Sequence, residues 1–543
     1  MTDAATLSVF NHLFASVAEE MGGALERAAY SANIKERLDF SCALFLGDAQ
    51  MLAQAAHIPV HLGAMPASVR AAIDHCQPFQ AGDVVILNDP YLGGTHLPDI
   101  TLVSPIFAEE PRLSSGNPSP QFFVASRAHH ADVGGMSPGS MPLSTELYQE
   151  GVIIPPLKLV QNGRLNEAVW KLLLRNVRTP AEREGDLAAQ LAAHATGARR
   201  LQQIVARYGL QQVLSQAQNL IDYARAMLEA ALQLIPNGDY SFVDYLDDDG
   251  HGQRSIPIHL RLTIREKTLE ADFSGTAPAV YGNVNAVPAI VHSAVVYCLR
   301  CVALALLERD LPMNEGVFAP IVVIIPPGSL LDPPPGRAVA AGNVETSQRI
   351  VDVVLGALAN ALPAHVPAAS QGTMNNFAFG GAHDGQPFAY YETVGGGIGA
   401  GPQGSGGSGM HAHMSNTRNT PVEALETTFP LRVEAYALRV GSGGRGRHHG
   451  GEGLLRRIRF LTPVTVTITS ERRSHQPYGL YGGQPGQTGR NTVLHDGIER
   501  QLAGKVSLSL QAGDVVTIET PGGGGWGVSV SEPAEAPERR GDE

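Results

Sequence analysis

The hydrophobic positions of the chain follow two periods, which predict helices and strands in different regions. Near the start, apolar residues recur at helical spacing: Leu7, Phe10, Phe14, Val17, Met21 and Leu25. This spacing predicts an opening helix over about residues 5–30. Short apolar runs then occupy residues 41–46, 84–87 and 121–125. All three predict strands, and the last two are typical of strands that are buried on both faces.

The rest of the chain shows further patterns. Residues 165–234 contain few helix breakers and predict a helical region, whereas residues 259–273 alternate apolar and polar positions about a turn, which predicts a hairpin. Helices are expected at 284–308 and 344–363, a strand at 321–325, and short strands with glycine turns from residue 431 onward.

The predicted fold is a mixed α/β (α+β) chain of several units, because 543 residues exceed the size of a single core. We expect a metal-bearing α/β region with a helical extension at 1–240 and a mixed β/α region with a glycine-rich loop at 241–430. A β-rich region at 431–528 and a disordered tail at 529–543, rich in Glu, Pro and Ala, complete the chain.

Charge and composition exclude several classes of protein. The 39 Lys and Arg residues against 52 Asp and Glu residues give a net charge of −13, which argues against nucleic-acid and anionic-membrane partners. Four cysteines are too few for a secreted disulfide scaffold, and the N-terminus lacks the basic segment of a signal peptide. The apolar stretch 284–307 contains Pro288, His292 and Arg300, so we expect a buried helix there. These features predict a cytoplasmic protein.

Two clusters of histidine and aspartate follow predicted strands in the N-terminal part. Their members are His96 and Asp99 in the turn-rich loop 88–99, and His129, His130 and Asp132 in the segment 127–135. Loops that leave two core strands can converge on one ligand. Neutral imidazole with carboxylate is the ligand mix of a Zn, Mn or Fe site, so the pattern predicts a metal site. In the alternative interpretation, His96 bonds a backbone carbonyl and Asp99 caps a turn.

His57 and His61 are a further pair of candidates. Their spacing of four residues suits two ligands on one face of a helix. Pro59 lies between them, however, and makes a regular helix unlikely. We therefore interpret both histidines as residues that line the pocket rather than as ligands.

Other motifs do not carry a catalytic site. The Gly–x–Ser–x–Gly match at 135–139 places a proline after the serine, and proline lacks the N–H that an oxyanion hole needs. Cys298 and Cys301 form an isolated CxxC, interpreted as two buried thiols. The glycine run 395–401 lies outside any phosphate-binding motif and is interpreted as backbone packed close to the site or to a partner. The basic loop 441–450 has two interpretations: it contacts an anionic intermediate or a partner subunit, or it is a solvated surface loop.

Five segments form a series that extends over nearly the whole chain. They are ERLDFSCA (36–43), NDPYLGGTHLPD (88–99), RAHHADVGG (127–135), GNVETSQR (342–349) and TPGGGGWG (520–527). In this order they resemble the B-type subunits of the hydantoinase/5-oxoprolinase family, which includes N-methylhydantoinase, caprolactamase and the large subunits of acetone-type carboxylases. The resemblance implies a metal-dependent amidohydrolase that acts on a cyclic amide: a hydantoin, 5-oxoproline or a related lactam.

The resemblance also implies site residues, position by position. The ligands of a Zn or Mn ion would be Asp39, His96, Asp99 and His129, with His130 beside them and Asp132 orienting a ligand imidazole or managing a proton. The ion would lower the pKa of a bound water. A separate A-type subunit would bind ATP and phosphorylate the substrate, within a hetero-oligomer of A2B2 or larger. Two alternatives stay open: a subunit of an acetone-type carboxylase and a non-catalytic scaffold.

Overall fold

The computed structural model describes residues 4–55, 57–61, 63–107 and 119–529. Apart from Ser529, the predicted disordered tail lies outside the described residues. The helices are α1 (Ala4–Ala28), α2 (Ala32–Lys35), α3 (Met65–Cys76), α4 (Glu167–Arg175), α5 (Pro180–Tyr208), α6 (Leu210–Gln233), α7 (Pro288–Leu307), α8 (Ser347–Ala361) and α9 (Val422–Thr428). The opening helix is confirmed. The predicted helical region 165–234 is divided into α4, α5 and α6, because Pro180 starts α5 and Gly209 separates it from α6.

The N-terminal part forms one large sheet. Its strands are β1 (Phe40–Leu46), β2 (Met51–Gln54), β3 (Val84–Leu87), β4 (Asp99–Ile106), β5 (Phe122–His129), β6 (Leu157–Gln161) and β7 (Arg164–Leu165). They lie in the order β2-β1-β5-β4-β3-β6-β7, and every pair is antiparallel. The mixed α/β prediction is confirmed, in the α+β form. The second His/Asp cluster begins inside β5 rather than in a loop, because β5 continues to His129.

Both faces of this sheet are covered, which explains the all-apolar runs of β1, β3 and β5. On one face, Phe14 and Met21 of α1 pack with Val124 of β5 and with residues of α5. On the other face, Val69 of α3 packs with Phe123 of β5 and with residues of β3. A strand that is buried on both sides needs apolar residues at successive positions rather than alternation. The central strands therefore lie between α1 and α5 on one face and α3 on the other.

A second sheet lies beside the longest apolar helix. Its strands are β8 (Gly238–Asp248), β9 (Arg254–Arg265), β10 (Thr268–Asp272) and β11 (Ile321–Ile324), in the order β11-β10-β9-β8. Helix α8 packs on β8 and β9, and α7 packs on α8. In the described part of the chain, α7 alone is long and apolar enough to span a membrane, a test that core helices also pass. Its residues Val291 and Val295 are buried in the core, as the sequence predicts.

The C-terminal part contains two more sheets. Its strands are β12 (Asn376–His383), β13 (Gln386–Glu392), β14 (Leu431–Arg439), β15 (Gly453–Phe460), β16 (Val464–Thr469), β17 (Arg490–His495), β18 (Ile498–Leu502), β19 (Lys505–Leu510) and β20 (Val515–Glu519). One sheet has the order β13-β12-β16-β19, and the other has the order β14-β15-β20-β17-β18. The division of the chain into four parts stays a prediction. A boundary near residue 430 would cut the first of these sheets.

The glycine-rich segments pack against one another, backbone to backbone. The run 395–401 pairs with segments near residues 451 and 523: the Gly451 N–H donates to Ile398 O at 2.8 Å, and the Ala400 N–H donates to Gly524 O at 2.9 Å. A Cβ atom on Gly397 would lie 2.0 Å from Gly451 O. The predicted close backbone packing therefore involves other segments of this same chain.

Candidate metal centre

Strand register brings three of the predicted residues into one row. Asp99 is the first residue of β4 and pairs with His129, the last residue of β5. The His129 N–H donates to Asp39 O at 3.0 Å, which places Asp39 on the other side of β5. Because side chains two positions apart share a face, Arg127 and His129 lie on the same face of β5. Asp99 of the first predicted cluster and His129 of the second therefore meet at one end of the central strands.

The loop before β4 adds His96 to this row, and a buried asparagine fixes the loop. Asn88 donates from Nδ2 to Leu97 O at 2.8 Å and to Val152 O at 2.9 Å, and its Oδ1 accepts from the Ile154 N–H at 2.7 Å. Asn88 is completely buried, so these bonds are shielded from water. The loop therefore has a defined conformation that presents His96 to the sheet.

The result is a compact cluster of three buried side chains. His96 Nε2 lies 3.0 Å and His129 Nδ1 lies 3.2 Å from Asp99 Oδ1. One ligand atom of each residue lies within 4.8 Å of the other two. No other group of three or more His, Cys, Asp or Glu residues in the described chain meets this spacing. The geometry agrees with three of the four ligands that the resemblance implies.

The donor pattern of His96 shows that the cluster fits a cation. His96 Nδ1 lies 3.1 Å from Ala340 O, and a carbonyl oxygen only accepts, so Nδ1 carries a proton. In a neutral imidazole, Nε2 then presents a lone pair to Asp99 Oδ1. Two acceptors at this distance need a proton or a metal ion between them, and a metal ion would take the Nε2 lone pair. Within the described part of the chain, the buried Nε2 of His129 has no hydrogen-bond partner. A cavity of about 20 Å³ adjoins the cluster, which is enough for one water molecule or one ion.

Electrostatics keeps Asp99 and His129 in forms that can bind a metal. Burial alone would raise the pKa of Asp99, but the imidazoles of His96 and His61 and the hydrogen bonds from His129 and His61 hold it well below the ordinary value. Burial lowers the pKa of His129. For His96, the charge of Asp99 outweighs burial, and the pKa is raised. Asp99 is therefore anionic and His129 neutral near neutral pH.

Asp39 and His61 line the same cavity without belonging to the three-residue cluster. The distance from Asp39 Oδ2 to Arg37 Nη2 is 3.9 Å. His61 places Nε2 3.2 Å from Asp99 Oδ2 and Nδ1 2.9 Å from Ser41 Oγ. The prediction that His61 lines the pocket is confirmed. His57 is placed differently, since its Nδ1 accepts from the Cys42 N–H and its ring packs on Phe40.

Asp132 and His130 have other partners. The Asp132 carboxylate pairs with Arg178 at 3.2 Å and accepts from the Gly134 N–H at 2.6 Å. Its contacts therefore fix a turn and an arginine, and the predicted role in orienting a ligand imidazole is not supported. His130 lies next to His129 and thus on the opposite face of the sheet, where Nε2 is 3.0 Å from Gln190 Oε1 of α5.

Sequence reasoning missed Asn343, which contacts the cluster. Asn343 Nδ2 lies 3.0 Å from His96 Nε2, although the two residues are 247 positions apart. Its segment 342–349 carried the family resemblance, and that is the signal that could have marked it.

Cys298 is buried as predicted, but Cys301 is exposed. The prediction of two buried thiols was wrong for Cys301 because it lies on the outer side of α7.

Comparison with known sequences identifies the family. The model of the hydantoinase B/oxoprolinase family matches residues 3–529. The chain is 42% identical to 5-oxoprolinase 1 of Arabidopsis thaliana, over 98% of the chain but 42% of that protein. It is 40% identical to an uncharacterized protein of Methanocaldococcus jannaschii, covering 97% and 91% of the two chains. Identity to a protein of Pseudomonas sp. that is named as a D-/L-hydantoinase subunit is 30%, covering 97% and 90%.

Solved structures agree with these relatives. The ATP-dependent caprolactamase from Pseudomonas jessenii superimposes with a TM-score of 0.89 at 28% identity, covering 98% of this chain and 93% of that one. Nucleotide-free acetone carboxylase gives a TM-score of 0.87 at 20% identity, covering 96% and 76%, which is a likeness of fold. The sequence-based resemblance is confirmed over essentially the full chain. This chain belongs to the hydantoinase B/oxoprolinase family.

Proposed function

We propose that this chain is the metal-dependent subunit of an ATP-dependent hydrolase of cyclic amides. The observation that carries the proposal is the buried cluster of His96, Asp99 and His129, whose ligand atoms lie within 4.8 Å of one another. The names of its relatives support the substrate class: 5-oxoproline, hydantoin and caprolactam are all cyclic amides. The substrate proposed here is a member of this class.

The residues of the cluster have distinct roles in this proposal. His96, Asp99 and His129, together with Asp39, hold a divalent Zn or Mn ion, and such an ion supplies Lewis acidity at the amide carbonyl. Asp99 provides the buried negative charge. His61, between Ser41 Oγ and Asp99 Oδ2, is placed to hold a proton beside the reacting atoms. The surrounding sheet keeps bulk water away from these side chains, all of which are buried.

We propose that ATP is used by a separate A-type subunit in a hetero-oligomer. The chain contains neither Gly–x4–Gly–Lys–Ser/Thr nor a strand–GxGxxG–helix unit. It also spans only 42% of the length of the Arabidopsis relative. Phosphorylation of the amide oxygen by the partner would give an electrophile with a good leaving group.

The test is coexpression with an A-type subunit, followed by assays of ATP-dependent hydrolysis of hydantoin, 5-oxoproline and caprolactam. We expect turnover of at least one substrate by the complex, no turnover by either subunit alone, and loss of turnover with His96→Ala. Full activity of the A-type subunit alone would contradict the proposal. A complex that is active without bound metal would contradict the role of the cluster.

A further inference from the structure

Asn343 reaches the cluster from a fixed turn in a distant part of the chain. It lies in a π-helical turn, Gly342–Thr346, which leads into α8. A Cβ atom on Gly342 would lie 1.8 Å from Asn285 O, so the backbone of the turn packs directly on the segment before α7. The Ala341 N–H also donates to Asn283 O at 2.9 Å. Such wide turns in helices often occur at functional sites.

The side-chain amide of Asn343 faces the cluster with both of its ends buried. Nδ2 lies 3.0 Å from His96 Nε2 and 3.4 Å from Asp99 Oδ2. The other end, Oδ1, is buried and has no hydrogen-bond partner among the residues that the structure describes. Asn343 lines the same cavity as Asp39, Asp99 and His129. A buried carbonyl oxygen without a donor is costly, so its presence beside a candidate metal site requires an explanation.

The two ends of a carboxamide have nearly the same shape and opposite hydrogen-bonding character. The N–H end suits the lone pair of His96 Nε2 when nothing else occupies that nitrogen. Once a cation takes that lone pair, the N–H end is repelled and the carbonyl end is attracted. Amide oxygens are good ligands of divalent ions, so a half-turn of the side chain exchanges a hydrogen bond for a metal contact.

We propose that Asn343 is a further member of the metal site. When the ion binds, the side-chain amide rotates by half a turn and directs Oδ1 to the ion. This inference rests on the proposed function in one respect, because it requires the ion to sit at the His96–Asp99–His129 cluster. Without the ion, Asn343 Nδ2 lies beside His96 Nε2 and Asp99 Oδ2, and these contacts keep the amide at the cluster. Asn343 thereby links α8 to the ligands of the sheet.

The test compares two variants with different chemistry at one position. Asn343→Leu removes both ends of the amide, whereas Asn343→Asp keeps the shape and always presents oxygen. The measurements are the Co²⁺ dissociation constant by chelator competition, the visible spectrum of the Co²⁺ form and the thermal midpoint of the metal-free protein. We expect Asn343→Leu to bind Co²⁺ about 10- to 100-fold more weakly with an altered spectrum. Asn343→Asp should bind at least as tightly as wild type, and the control Asn360→Leu should change neither the dissociation constant nor the spectrum.

The outcomes separate this inference from the proposed function. Binding of Co²⁺ by the wild type and its loss in His96→Ala would support the cluster as the metal site. In that case, wild-type affinity and spectrum in Asn343→Leu would overturn the role of Asn343 alone. Weaker binding by a folded Asn343→Asp would also overturn it, even if the leucine variant does not fold. A wild type that does not bind Co²⁺ would overturn the proposed function itself.

Discussion

At the scale of single residues, His96 has the most restrictive contacts in the cluster. Its Nδ1 is committed to Ala340 O, and only Nε2 faces Asp99. We expect His96→Ala to weaken divalent-metal binding by more than about 100-fold, beyond the usual effect of changing a supporting residue. The fold should persist, because His96 lies in a loop and not in a strand. Elemental analysis and circular dichroism measure the two effects, with the exposed His12→Ala as control. Unchanged metal content in His96→Ala would contradict the assignment.

Another buried histidine makes stability depend on pH. The ring of His194 lies between Ser104 Oγ at 2.7 Å and Ser126 Oγ at 2.9 Å, and burial lowers its pKa to about 3. Between this value and the ordinary pKa of about 6.5, the unfolded chain binds the proton and the folded chain does not. This group therefore destabilises the fold as the pH falls below 6.5, by about 2 kcal/mol at pH 5.

The variant His194→Gln isolates this effect from that of other buried histidines. We expect the drop in unfolding free energy between pH 7.5 and pH 5 to be smaller in the variant by about 2 kcal/mol. Urea unfolding of both proteins at the two pH values measures the difference. An equal drop in both proteins would show that His194 is not the titrating group.

At the scale of structural elements, the packed glycine segments predict that two similar substitutions differ strongly in their effect on stability. Gly397→Ala would place a Cβ atom 2.0 Å from Gly451 O, whereas a Cβ atom on Gly404 meets nothing within 4 Å. Since backbone cannot move as a side chain can, we expect Gly397→Ala to cost about 2–4 kcal/mol. Gly404→Ala should change stability by less than about 1 kcal/mol. Thermal unfolding compares them, and equal midpoints would show that the segments are less tightly packed.

At the scale of the whole molecule, the proposed division of labour predicts that this chain does not handle nucleotide. It carries a net charge of −13 and has no phosphate-binding sequence motif. We expect the isolated chain neither to bind ATP in calorimetric titration nor to hydrolyse it. Addition of an A-type subunit should produce both properties, together with a hetero-oligomer in light scattering. Stoichiometric ATP binding by the isolated chain would contradict this division.

The sequence by itself determined several of the elements and the chemical types at the site. The helical spacing from Leu7 to Leu25 predicted α1, and the apolar runs predicted β1, β3 and β5, because these patterns are local and burial dictates them. The pairing of imidazole with carboxylate in two clusters indicated the metal chemistry. Family motifs added Asp39, which no periodicity marks.

Only the tertiary structure decided which residues meet. The strand order β1-β5-β4 and its register place Asp39, His129 and Asp99 in one row, and this order depends on packing between distant helices. His130 and Asp132 follow the end of β5 and contact other partners, which sequence proximity to His129 does not reveal. Asn343 reaches His96 across 247 residues through a turn that packs on Asn285. Local patterns fix elements, whereas a site is fixed by contacts among elements that are far apart in the chain.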